Sequence, residues 1–182
     1  HKPDRRQRQM CIRDSIFYVN QGGLGIGDRD YYIKDTEKNL EIREKYVHLL
    51  ATMLNAAGEP NEETMAKKVM ELETEMAKAH WDRAAGRNRN LTYNKVTREE
   101  LVKSSETFPL QQMLDTLGLG AQDAFVIRQV TPTAEEIKEN GLEGEQLELV
   151  SGGGVARLIE IANTYDIDVW KAWLCLLYTS PS

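Results

Sequence analysis

The chain has 182 residues, which is long enough for one domain with a substantial core and too short for two independent domains of ordinary size. Apolar residues make up 41% and charged residues 29%, a balance that excludes both a disordered acidic tract and a membrane protein. The formal net charge is -6, and an acidic surface repels phosphate backbones, so nucleic acid is not an expected partner.

The two ends of the chain differ from its interior. Residues 1–15 are basic and show no apolar period, and residues 175–182 break off without a helix stop signal. Both strings resemble translated adaptor sequence at the margins of assembled gene fragments, so we predict that they are non-native. A disordered tail and a frayed helix end are the alternative. The predicted domain therefore covers residues 16–174.

Cysteine content and apolar runs limit the class of protein further. Both cysteines, Cys11 and Cys175, lie in the two ends, so the interior offers neither a disulfide framework nor a thiolate metal site. Apolar runs such as residues 172–177 are far shorter than the ~20 residues that a membrane-spanning helix needs. No membrane span is expected, and no signal peptide is recognisable at the start.

The first half of the chain predicts one strand and a pair of helices. Residues 16–20 are β-prone and precede glycines, which indicates a short strand entering a glycine-rich loop that reaches Tyr32. Residues 36–57 and 61–83 carry apolar side chains at steps of three and four, the pattern of amphipathic helices. The first stripe is Ile42, Tyr46, Leu49, Met53 and Ala57, widened by Leu50 and Leu54; the second, behind a possible Asn61 cap, is Met65, Val69, Leu72, Met76 and Ala79. Two such helices are expected to form an antiparallel hairpin.

The second half predicts shorter elements. Residues 84–96 are polar and aperiodic, which indicates a surface loop. Thr97 and Glu100 have the spacing of a capping box that starts a short helix. The further predicted elements are a helix over 110–117, a strand over 124–127, helical turns over 132–139, a glycine break at 152–154, a helix from Val155 and a last helix capped by Asp166. The predicted fold is mainly α, a multi-helix domain with one or two short strands.

The sequence contains no recognisable catalytic or metal-binding pattern. Zinc peptidases of the H-E-x-x-H type place two histidines on one helix face with a glutamate between them, and neither His48 nor His80 begins that motif. Residues 23–27 (GLGIG) lack the third glycine of a dinucleotide fingerprint, since Asp28 stands at that position. We therefore interpret these glycines as tight backbone turns.

Two charged groups are assigned structural roles. Residues 28–32 (DRDYY) place a charged triplet beside two aromatic rings, which predicts an ion-pair clamp above buried rings. Glu71, Glu73 and Glu75 are predicted to spread over a solvated face of the second helix. Neither group predicts catalysis.

Four stretches of the chain carry a family resemblance. They are residues 21–32 (QGGLGIGDRDYY), 69–73 (VMELE), 91–97 (LTYNKVT) and 168–174 (DVWKAWL). In this order they resemble neprilysin and endothelin-converting-enzyme relatives, and the triple glycine at 152–154 is more typical of bacterial members. The residues singled out as the structural motif are Gly23, Gly25, Asp28, Arg29, Asp30, Tyr31, Tyr32, Tyr93, Asn94 and Trp170.

The resemblance implies a function for a larger protein. Members of this family are two-lobed zinc metalloendopeptidases that cleave oligopeptides, and this chain is similar to part of the N-terminal helical domain that covers the zinc lobe. The zinc ligands belong to the C-terminal catalytic domain. The chain by itself is therefore expected to bind no metal, to contain no catalytic residue and to be inactive. The implied partners are that catalytic domain and peptide substrates, and the implied location is periplasmic or extracellular.

A different class of function stays open. The alternative is a stand-alone acidic helical module that binds a partner protein through an exposed groove. Such a module should have a closed core, whereas part of a larger lobe should expose an apolar patch.

Overall fold

The structure is a computed structural model that describes residues 16–105 and 108–179. The predictions for residues 1–15 and 180–182 lie outside these described residues. The strands are β1 (Phe17–Val19), β2 (Asn94–Thr97) and β3 (Ala124–Ile127). The α-helices are α1 (Asp30–Ile33), α2 (Glu37–Ala56), α3 (Glu62–Ala79), α4 (Arg98–Lys103), α5 (Leu110–Thr116), α6 (Ala134–Glu139), α7 (Glu145–Glu148), α8 (Gly154–Thr164) and α9 (Ile167–Thr179), with a 3-10 turn at Ala85–Arg87. The predicted mainly α fold is confirmed.

The long helices α2 and α3 form the centre of the fold. Thr36 begins α2, because its side-chain oxygen accepts a hydrogen bond from the backbone N–H of Asn39 at 3.2 Å. The predicted Asn61 cap of α3 is wrong: Asn61 has φ -124° and ψ 44°, and its side chain makes no capping hydrogen bond. Helix α3 also ends at Ala79 rather than near Arg83, since His80 turns into an extended conformation.

The first core lies between this hairpin and the last two helices. The predicted stripe of α3 is confirmed, whereas α2 faces the core with Leu50 and Leu54 and leaves Leu49 52% exposed. The apolar positions of the predicted stripe spread over a wide arc of α2, and α3 packs against only one side of that arc. The buried residues of this core are Leu50, Leu54, Ala66, Val69, Leu72, Met76, Ala79, Ile161, Val169, Ala172 and Leu176.

A three-stranded sheet in the order β1-β3-β2 supports the second core. Strand β1 runs parallel to β3 with Phe17 opposite Phe125, and β2 runs antiparallel to β3 with Asn94 opposite Ile127. The predicted loop over residues 84–96 is therefore wrong at its end, because pairing with the apolar β3 holds the polar residues of β2 in a strand. The buried residues of this core are Leu101, Leu110, Leu114, Phe125, Ile127 and Val155.

Short connecting helices complete the chain. The predicted capping box of Thr97 and Glu100 is confirmed, and Thr133 and Glu136 form a second one at α6 that the sequence analysis missed. Asp166 caps α9 as predicted, since its side chain accepts a hydrogen bond from the backbone N–H of Asp168. A third small core contains Trp81, Leu91, Leu142 and Val150. None of the described helices is both long and apolar enough to cross a membrane.

Candidate functional site

The glycine-rich segment, residues 21–29, links β1 to α1 and packs closely against the helices. At Gly25, a Cβ atom would lie 1.9 Å from the Tyr46 hydroxyl oxygen. At Gly23, φ is +92° and a Cβ atom would lie 2.6 Å from the Trp173 ring. Both positions therefore require glycine, because side-chain atoms of α2 and α9 occupy the space that a larger residue would need.

A buried carboxylate lies directly below this segment. Glu73 of α3 is 1% exposed. Its Oε2 accepts hydrogen bonds from the Tyr32 hydroxyl at 2.5 Å and from the Gly25 N–H at 3.4 Å, and its Oε1 accepts one from the Tyr46 hydroxyl at 3.1 Å. The Tyr32 hydroxyl in turn accepts the N–H of Ile26 at 2.9 Å. We call this set of Glu73, Tyr32, Tyr46, Gly25 and Ile26 the carboxyl cluster.

The predicted solvated face of α3 is wrong for Glu73. Glu71 is exposed and Glu75 pairs with Lys78 at 2.6 Å, as expected for surface side chains. Glu73, however, lies four residues after Val69 and three before Met76, on the buried side of the helix. This spacing was visible in the sequence and is the signal that could have identified the buried position.

Burial sets the electrostatics of the carboxyl cluster. Desolvation raises the pKa of Glu73, and the hydrogen bonds from Tyr32, Tyr46 and Gly25 oppose that rise. Burial, and then the neighbouring Glu73, raise the pKa values of Tyr32 and Tyr46. Among the ion pairs of the described residues, none involves Glu73. The cluster is a buried acid held by neutral donors.

The two ends of the glycine-rich segment are anchored to the residues that follow α3. The Gln21 side chain donates to the Trp81 carbonyl at 2.9 Å and accepts the Trp81 N–H at 2.7 Å. The Arg29 guanidinium donates to the His80 carbonyl at 2.7 Å. His80 is 5% exposed, and burial lowers its pKa to about 4, so its ring is neutral in the folded chain at pH 7.

The two aspartates of the charged triplet form their ion pairs with neighbouring residues outside the triplet. Asp28 pairs with Arg83 at 2.9 Å and Asp30 pairs with Lys34 at 2.5 Å. The Tyr32 ring is buried beneath them, and Tyr31 is half-buried. The segment is thus held by charged contacts outside and by the carboxyl cluster inside.

The other predicted motif residues lie elsewhere. Tyr93 is exposed, and the Asn94 side chain donates to the carbonyls of Leu91 and Ile127, which ties the loop to the sheet. Trp170 stacks edge-on against Trp173, whose indole N–H donates to the Gly23 carbonyl at 3.3 Å. Trp170 therefore contacts the residue that binds the glycine-rich segment. Asn94 begins strand β2 and Tyr93 directly precedes it.

Two cavities lie beside the elements that surround the carboxyl cluster. A cavity of about 200 Å³ lies between the glycine-rich segment and residues 80–83. An open groove of about 920 Å³ runs along α2 and the start of α3, with Glu41, Glu44, His48, Glu62 and Glu63 in its walls. In the part of the chain that the structure describes, no three His, Cys, Asp or Glu side chains are arranged to hold a metal ion.

Comparison with known proteins gives consistent matches. The family model described as peptidase family M13 matches residues 3–176. Endothelin-converting enzyme 1 of Cavia porcellus is 32% identical over 89 residues, and that of Homo sapiens is 30% identical over 90 residues. These alignments cover 48% of this chain and 12% of each relative, so the matched part is a small share of the relatives' length.

Solved structures share the fold. The cryo-EM structure of Mycobacterium tuberculosis zinc metalloprotease Zmp1 in an open state has a TM-score of 0.66 and 23% identity, and the match covers 90% of this chain and 23% of that one. The crystal structure of the same protease in complex with an inhibitor has a TM-score of 0.64 and 21% identity, over 87% of this chain and 21% of that one.

Proposed function

The chain belongs to peptidase family M13, and we propose that it is the N-terminal helical domain of a two-lobed zinc metalloendopeptidase that cleaves oligopeptides. The observation that carries this proposal is the family match over residues 3–176, nearly the whole chain. The protease with the same fold is a much longer chain, of which the match covers only 23%. The hydrolytic chemistry is therefore assigned to another part of the polypeptide.

Within that enzyme, the proposed task of this domain is to cover the zinc lobe. A covering domain limits access to oligopeptides and excludes bulk water from the reaction site. Zinc, when bound in the enzyme, acts as a Lewis acid and activates water. The described residues of this chain do not fit a zinc ion, because they offer no cluster of three ligands. We therefore propose no catalytic role for any of these described residues.

Peptidase activity of the full-length protein tests the proposal. We expect the full-length protein to hydrolyse a fluorogenic oligopeptide, to lose that activity with a zinc chelator and to regain it with added zinc. A matched variant with glutamine in place of the glutamate of its H-E-x-x-H motif should stay folded and inactive. The 182-residue chain by itself should be inactive.

Two outcomes would contradict the proposal. One is a coding sequence that continues without any H-E-x-x-H motif, and the other is hydrolysis that persists after zinc removal. If the full-length protein has no zinc and binds a partner through the α2 and α3 groove, the interaction module is the better description. Loss of that binding in a variant with Glu44 and Glu63 changed to lysine would then identify the groove.

A further inference from the structure

The carboxyl cluster joins four parts of the fold at one acidic group. Tyr32 comes from α1, Tyr46 from α2 and Glu73 from α3, while Gly25 and Ile26 belong to the glycine-rich segment. Two backbone N–H groups of that segment donate inward: that of Gly25 to the Glu73 carboxylate and that of Ile26 to the Tyr32 hydroxyl. The middle of the segment, at Gly25 and Ile26, is therefore held on the helices through hydrogen bonds that depend on one carboxyl group, while its ends have anchors of their own.

The same atom positions suit a neutral carboxyl group. A protonated Glu73 can donate through Oε2 to the Tyr32 hydroxyl while Oε1 still accepts from the Tyr46 hydroxyl, so both contacts persist in the neutral state. In the ionised state the tyrosines and Gly25 all donate to a full charge that has no cation partner among the described residues. An unpaired buried charge is costly, and water can reach it only if the covering segment moves away.

We propose that Glu73 is a pH-sensitive latch that holds the glycine-rich segment closed when it carries a proton and releases the segment when the proton is lost. The latch would control how firmly β1 is tied to the α2 and α3 hairpin, since this segment follows β1 and packs against both helices. This proposal does not depend on peptidase activity.

The groups that face Glu73 support this assignment. The titratable neighbours are Tyr32 from α1 and Tyr46 from α2; the glycine-rich segment contributes the neutral Gly25 N–H, and α9 contributes the neutral Trp173 indole. His80 at the end of α3 lies beside Gly22, and burial lowers its pKa from 6.5 to about 4. Exposure of His80 on opening would therefore take up a proton between these pH values, so its contribution makes protection rise with pH. Glu73, whose pKa is raised by burial, is the neighbour whose contribution runs in the opposite direction.

Amide hydrogen exchange in the full-length protein tests the latch. The reporters are the Gly25 and Ile26 amides, measured from about pH 5 to about pH 8 and corrected for the intrinsic exchange rate at each pH. A proton released on opening makes the open state up to about tenfold more populated per pH unit. We therefore expect wild-type protection to fall with rising pH relative to that of Glu73→Gln, which keeps only the opposite contribution of His80.

Two further variants keep the test decisive. Glu71→Gln changes an exposed glutamate on the same helix and should keep the wild-type profile. Tyr46→Phe removes a hydrogen bond that lowers the pKa of Glu73, so the fall in protection should continue to higher pH. A wild-type profile with the same slope as that of Glu73→Gln would overturn the latch. If Glu73→Gln does not fold, a Tyr46→Phe profile identical to wild type would overturn it.

Discussion

At the residue scale, the packing at Gly25 explains why a glycine stands there. The Tyr46 side chain reaches past Gly25 to Glu73, and its hydroxyl occupies the position that a Cβ of residue 25 would take. A larger residue would displace the tyrosine from its carboxylate or lift the segment from α3. The absence of a side chain at this position therefore allows the buried hydrogen bonds to form.

We predict that Gly25→Ala lowers the free energy of unfolding by about 1–3 kcal/mol, the usual cost of overpacking. Gly22→Ala is the matched control, because a Cβ at Gly22 meets no atom within 4 Å. Urea denaturation at pH 7 measures both. Equal stability of Gly25→Ala and Gly22→Ala would show that the segment does not pack as described.

A second prediction concerns His80. Its folded-state pKa of about 4 lies below the ordinary 6.5, so the unfolded chain binds one more proton between these pH values. The free energy of unfolding should therefore fall as pH is lowered from 6.5 to 4, by about 3 kcal/mol from this group. Urea denaturation of wild type and His80→Gln should show that difference, while His48→Gln, changed at an exposed site, should follow wild type. Parallel pH profiles of stability for wild type and His80→Gln would exclude this contribution of His80.

At the element scale, the short helices depend on their first turns. Helices α4 and α6 have six residues each, too few to be stable by propensity alone. In each, the threonine side-chain oxygen accepts a hydrogen bond from the backbone N–H of the glutamate, and the glutamate carboxylate accepts one from the backbone N–H of the threonine. These capping boxes satisfy amides that would otherwise lack partners.

Removal of one cap gives the element-scale prediction. Thr97→Ala should cost about 1 kcal/mol of unfolding free energy, because the Glu100 amide loses its acceptor. Thr97→Ser keeps the hydroxyl and should lie close to wild type. Urea denaturation of the three proteins measures the effect, and an alanine variant as stable as the serine variant would argue against the cap.

At the scale of the whole molecule, much apolar surface stays uncovered. Among the described residues, these large aliphatic side chains on three different elements or turns are at least half exposed: Leu40 and Leu49 on α2, Leu117 after α5, and Ile167 on α9. Scattered exposed leucines are normal, but contiguous apolar patches mark contact surfaces. The proposed two-lobed enzyme supplies a partner surface for some of them.

Dye binding tests this surface. We predict that the 182-residue chain alone binds more of an apolar-surface dye such as ANS, per mole, than the same domain within the full-length protein. The expected cause is that the catalytic domain covers side chains exposed in the isolated chain. Far-UV circular dichroism of the isolated chain is the control for folding. Equal dye binding by a folded isolated chain and by the full-length protein would favour the closed interaction module.

Most of the helices could be predicted from local sequence patterns. The stripes of α2 and α3, the box at Thr97 and the apolar run of β3 each depend on neighbours within one or two turns, so their elements follow from spacing and capping chemistry. Strand β2 could not be predicted in this way, because its residues are polar and a strand forms there only through pairing with β3. The same applies to α1, whose four residues are fixed by the segment they follow.

The sequence by itself determined the mainly α fold, the helical hairpin and the stretches that resemble a peptidase family, because these are properties of neighbouring residues. Only the tertiary structure decided that Tyr32 and Tyr46 meet Glu73, that Leu49 is exposed and that Gly25 faces Tyr46. Periodicity identifies the apolar arc of a helix, but the side of that arc that becomes the core depends on which other helices and segments pack against it.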